Sequence, residues 1–222
     1  MIQTSTLKFL KDLKRNNNKT WFDTNRSRYE DARKDFEQFI QEVIEKHGRK
    51  DKTIVSLKAK DCMFRINRDI RFAKDKTPYK TNLGASINKD GRKSMTTSGY
   101  YFHLQPGESF VGGGLYMPMP DELKKVRQEI DYNFDLFKKI TGSKKFKSFY
   151  KDLDKSDEFQ LTRIPKGYDA DNPAAEYLRL KSFIAFVHIS DAELTSKNLI
   201  KKTLLAFETL QPLNDFINEA VN

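Results

Sequence analysis

Cysteine is almost missing from this chain. Cys62 stands alone among 222 residues, which excludes an internal disulfide framework and fits a reducing compartment. Histidine is nearly as scarce, at three scattered residues. With a single cysteine beside them they leave no ligand set spaced for zinc, so neither a metal nor a cofactor is expected. No apolar run is long enough to cross a bilayer, and the most apolar stretch, Phe183–Ile189, has only strand length. The start, Met1-Ile-Gln-Thr-Ser, lacks the basic-then-apolar order of a secretion signal. A cytoplasmic location with no membrane partner is therefore expected. Internal repeats and flexible linkers are also lacking, so residues 1–222 are read as one domain.

What the chain does have is positive charge and aromatic rings. The formal net charge is +10, with 17 Phe and 9 Tyr. The charge is uneven: residues 51–181 carry net +8, residues 1–50 net +4, and residues 182–222 net −2. A basic excess favours an anionic partner, although solubility alone accounts for many such excesses. The excess is concentrated between Phe64 and Lys80, where Arg65, Arg68, Arg71, Lys74, Lys76 and Lys80 face only Asp69 and Asp75. Phe64, Ile66, Ile70, Phe72 and Pro78 are threaded among these charges. Apolar residues in that pattern must pack, and packing holds the charged stems in place.

Periodicity predicts the frame. Leu7, Leu10 and Leu13 mark a short helix over 5–15, capped by Ser5 or Thr6 and broken by Asn16-Asn17-Asn18. A longer helix is predicted from about Lys19 to Lys46, stopped by Gly48. Trp21, Asn25, Arg26 and Tyr29 in its first turns either pack there or wall the cationic stretch. Strands are predicted over Cys62–Asn67, Leu83–Ile87, Tyr100–Gln105 and Phe110–Met117, with an edge strand at Leu161–Ile164. Asp90-Gly91 and the polar run to Ser98 predict a mobile hairpin tip. Pro120, Asp121 and Glu122 open a helix that ends at Gly142. A short helix follows over 143–152, and Asn172-Pro173 caps another. Phe183–Ile189, apolar on both faces, predicts an inner strand. Ser190-Asp-Ala-Glu193 is a capping box, and a closing helix interrupted near Pro212 completes the chain. The fold class is α+β: a mostly antiparallel sheet of about five or six strands, with N- and C-terminal helices packed against it.

Candidate chemistry is weighed against plain structural roles. Gly112-Gly113-Gly114 lacks the following Lys-Ser/Thr of a phosphate loop, so a strand kink or groove floor is the better reading. Tyr101 and His103 share a strand face, where an acid–base role needs a polar cleft. His188 among Phe and Ile reads as structural, and Cys62 as a small buried hydrophobe. Asp69 is a second weak catalytic candidate, although ion pairing suits it better. Arg65, Arg68, Arg71, Lys76 and Lys80 form the strongest candidate ligand site, because arginine's planar fork suits phosphate and carboxylate. Tyr79 and Tyr168 are placed to stack on a ring, and Lys166 with Tyr168 to close the site.

Phe64–Phe72, Asp75–Lys80, Gly99–Leu104, Gly112–Pro118, Pro165–Tyr168 and Leu178–Ser182 together resemble the conserved hypothetical family known as domain of unknown function 2461. The Asn17–Phe22 segment and the Pro212–Phe216 end resemble it too. The resemblance covers nearly the whole chain and implies one cytoplasmic domain without implying an activity. The function expected from the residues is binding of an anionic small ligand bearing phosphate or carboxylate. The alternatives are an enzyme acting on a phosphorylated or nucleotide-like substrate, and a structural or adaptor protein whose arginines brace the sheet. Non-specific nucleic-acid binding is the further alternative.

Overall fold

The structure, a computed structural model, describes residues 1–93 and 96–221. Its centre is one antiparallel sheet with strands in chain order: β1 Leu83–Ile87, β2 Gly99–Leu104, β3 Ser109–Leu115 and β4 Phe183–Ile189. The sheet has four strands rather than the five or six expected. Cys62–Asn67 is not a strand. α4 (Ala59–Cys62) is a helical turn, and only the single bridges Met63–Ala85 and Asn67–Tyr79 follow it. Leu161–Ile164 likewise reduces to one bridge, between Gln160 and Leu180. β4 pairs with β3 alone, so it is an edge strand and not an inner one.

Register explains the two faces. Tyr100, Phe102 and Leu104 point inward, where Phe102 meets Phe36 and Phe39, and Tyr100 stacks on Phe207 at 4.4 Å. The covering layer is α3 (Arg26–His47) and α10 (Leu199–Val221). Pro212 lies inside α10 without ending it, because Leu210, Leu213 and Phe216 on either side are buried in the same core. The predicted helix over 19–46 is two helices, α2 (Lys19–Thr24) and α3. Asn25 leaves helical geometry between them and bonds the Trp21 carbonyl with its side chain. Ahead of them, α1 (Thr4–Arg15) buries Leu7, Leu10 and Leu13 as predicted. Its cap position is Gln3, while Thr6 bonds Asp35 across to α3.

Asn133 splits the next predicted helix into α5 (Pro120–Tyr132) and α6 (Phe134–Thr141). Ser143 caps α7 (Lys144–Tyr150), α8 (Ala175–Leu178) forms one turn, and the Ser190 capping box opens α9 (Asp191–Leu194). The glycine run in β3 serves close backbone approach. Gly113 and Gly114 have φ of +154° and +117°, and a Cβ there would lie 2.1 Å from the Gly99 carbonyl and 2.0 Å from that of Phe183. Gly91 turns the chain after β1, and Ser98 is tied to Asn214 and Asn218 of α10, while residues 94–95 of the predicted tip lie outside the described residues. No helix among the described residues is long and apolar enough to cross a membrane.

Candidate functional site

The cationic stretch is held by backbone bonds and by its own carboxylates. Phe64 N–H donates to Gly84 O, Arg68 N–H to Pro78 O and Lys80 N–H to Ile66 O, which closes residues 66–80 into a loop against β1. Tyr79 is buried and stacks on Phe22 with 3.9 Å between ring centroids, while Asn17 bonds its backbone on both sides. The ring expected to stack on a ligand is thus part of the core. Trp21 and Tyr29 pack on Phe9 beside it instead of walling a pocket.

Inside the loop, Arg68 donates to Asp75 and Thr77. The Thr77 amide and the Arg68 guanidinium hold the Asp75 carboxyl down at about 2. Arg71 grips Asp69 with two hydrogen bonds, at 3.0 and 2.7 Å, which lowers that carboxyl. Lys76 donates to the Ile70 carbonyl at 3.0 Å. Of the loop cations, Arg65, Lys74 and Lys80 have no carboxylate or hydrogen-bond partner for their side chains among the described residues. Lys80 lies 5.3 Å above the Phe64 ring, and burial followed by Arg65 pushes its pKa down.

His103 stands on the outward face of β2, stacked on Phe110 at 4.6 Å. Gln105 Nε2 donates to Glu108, so Gln105 Oε1 is free to accept from His103 Nε2 at 3.0 Å. His103 Nδ1 then accepts from the Tyr101 hydroxyl at 3.1 Å. Burial lowers the His103 pKa, and burial together with Tyr116 raises Tyr101 to about 12. The neutral tautomer is therefore fixed by a chain of four side chains ending at a carboxylate.

Lys166 and Tyr168 are not part of that region. They line a cleft of about 520 Å³ against α5, which contains no residue of the 64–80 stretch. Gly167, at φ +94°, makes the tight turn that puts both side chains on it. Lys124 and Arg127, one helical turn apart on α5, supply the other cations. Pro118, Pro120, Leu123 and Pro165 supply the apolar wall. Arg127 Nη2 donates to Leu180 O at 2.9 Å, its Nε is buried without a partner, and burial lowers its pKa. None of Lys124, Arg127 and Lys166 pairs with a carboxylate among the described residues. The one acid in the lining, Asp131, accepts from Asn172 at 2.6 Å.

A family model matches residues 5–216. The chain belongs to that family, the conserved hypothetical protein family DUF2461. No curated protein and no solved structure matches it. The stretches that carry the DUF2461 resemblance fall on the braced loop and the adjoining α2, on β2 and β3, on the turn at Pro165–Tyr168, on the segment leading into β4 and on the second half of α10. Lys124 and Arg127 are the cations that the sequence did not single out. Their signal was their spacing of three residues on a helix starting at Pro120 behind Pro118. Among the described residues no group of three or more His, Cys, Asp and Glu is placed to hold a metal.

Proposed function

We propose that this DUF2461 protein binds a small anionic ligand in the cleft between α5 and the Pro165–Tyr168 turn. Three unpaired cations surround one cleft, and that observation carries the reading. An arginine without a carboxylate, half withdrawn from water, is costly to keep unless an anion comes to it. Its anchor on Leu180 O fixes the guanidinium plane, which leaves the fork preorganised for phosphate or carboxylate. The prolines, Leu123 and Tyr168 give the ligand an apolar or ring-bearing body. The loop cations lie apart from this site, and Arg68, Arg71 and Lys76 are already engaged within the loop.

The test is thermal shift and calorimetry with inorganic phosphate, phenyl phosphate and benzoate. Phenyl phosphate is expected to stabilise the wild type most, since it uses both the cations and the apolar wall. Arg127→Ala is expected to abolish the shift while the unliganded protein stays folded, and Lys166→Ala to weaken it. No shift with any probe, or an unchanged shift in Arg127→Ala, overturns the reading.

A further inference from the structure

The outward face of the sheet carries a second feature that the cleft does not use. Six aromatic rings cross it without a gap. Phe64 meets Tyr101 at 6.4 Å, Tyr101 meets Phe110 at 5.7 Å, Phe110 meets Phe186 at 5.1 Å, and Phe186 meets His188 at 5.7 Å. His103 stacks on Phe110 between them. The strip spans four strands, about 15 Å at the usual strand spacing. The helices α3 and α10 pack on the opposite face, against Phe102, Tyr100 and Gly113. Gly112 pairs with both Tyr101 and Phe186, so no side chain separates those two rings across β3. Phe64, 38% exposed, forms one end of the strip beneath Lys80, with Arg65 next in the chain. Neither cation has an acidic partner.

We propose that this face binds single-stranded nucleic acid. The bases lie along the ring strip, and the phosphates run to Lys80 and Arg65. Rings and unpaired cations side by side match the two halves of a nucleotide, a planar base and a charged phosphate. An apolar protein partner has no use for the cations. A mononucleotide shares the chemistry but fills only part of a strip four strands wide. A duplex hides its base faces, so the rings select against it. The hydrogen bonds from Tyr101 through His103 to Gln105 hold the central rings in place before any ligand arrives.

The experiment is fluorescence anisotropy of a labelled oligo-dT 12-mer over a sodium chloride series. Competitors are unlabelled duplex, AMP and phenyl phosphate, and melting temperatures confirm that each variant is folded. Wild type is expected to bind the single strand, more weakly as salt rises. Phe64→Ala and Phe186→Ala are each expected to weaken binding about tenfold, the lower range for a stacked base. Phe64→Leu keeps the packing volume and should still lose most of that factor. Lys80→Ala should lower the log–log salt slope by about 0.7, the value for one phosphate contact on a single strand. Excess phenyl phosphate, directed to the cleft, should leave the oligonucleotide bound. Displacement by phenyl phosphate would move the binding to the cleft and overturn the proposal. So would duplex binding as tight as single-strand binding, complete displacement by AMP at equimolar concentration, unchanged affinity in both phenylalanine variants, or no binding at low salt.

Discussion

The two cationic regions of this molecule differ in what their charges already touch. Between Phe64 and Lys80 six Arg and Lys residues are crowded into one short stretch, yet Arg68 and Arg71 are held by Asp75 and Asp69, and Lys76 by a carbonyl. Around the α5 cleft there are only three cations, drawn from two distant parts of the sequence, and none is paired with an acid. The crowded basic stretch thus has half of its cations already engaged, while the sparse one has none paired with an acid among the described residues. Binding capacity follows the number of unsatisfied donors in a concave site and not the number of charges per stretch.

That contrast breaks most visibly at Tyr79. If the loop is built into the core, Tyr79→Ala loses a buried ring stacked on Phe22 and should cost about 3 to 5 kcal/mol of stability in denaturant unfolding. A near-neutral change would return Tyr79 to the surface and weaken the structural reading of the whole loop. Arg127→Ala sharpens the other side. It should reduce phenyl phosphate affinity by roughly 10- to 100-fold, the scale of one hydrogen bond to a charged group. Arg68→Ala should leave that affinity unchanged, and equal losses in the two variants would erase the distinction between the regions.

A smaller effect is the acid response of the loop. Asp75 is held below its ordinary value, at about 2. Its contribution is therefore complete above the unfolded-state pKa and is lost as pH falls from about 4 toward 2. The melting temperature difference between wild type and Asp75→Asn should be constant from pH 7 to about 4 and vanish toward pH 2. A difference that disappears already near pH 6 would show that another group provides the bracing. Arg71→Ala should have the least effect, because that pair is solvated and screened, with the arginine side chain 75% exposed. Its melting curve should superimpose on that of the wild type.

Much of the frame was legible because alternation reports burial directly. The alternation of Tyr100, Phe102 and Leu104 with Tyr101 and His103 was legible from spacing, and the structure turns the first set into the core. The same logic misled at Phe183–Ile189. Phe186 is outward-facing and apolar because it belongs to a ring strip on an uncovered face, a case that mimics a strand covered on both sides. Cys62–Asn67 failed for another reason. Phe64 and Ile66 alternate, but Arg68 N–H turns back to Pro78 O, so the segment folds on itself after single bridges. The choice of Asp75 for Arg68 and Asp69 for Arg71 depends on that return and cannot be read along the chain. Lys166 and Tyr168 were picked out, but only tertiary packing set them beside Arg127, 39 positions before Lys166 in the chain.

The loop has one more effect, on how copies of this protein meet. A sheet with open edges offers each copy a template for pairing with the next. Here the Phe64 amide occupies the Gly84 carbonyl on the β1 side, and Met63 bridges Ala85. On the β4 side, the Asp154 amide takes the Ile184 carbonyl, and the Lys202 ammonium takes that of His188. Both borders of the sheet are thus partly sealed by segments that are not strands. The seals guard against runaway strand exchange in a protein whose uncovered face is rich in rings, and a chain with Met63 and Phe64 deleted should polymerise where the intact one stays dispersed.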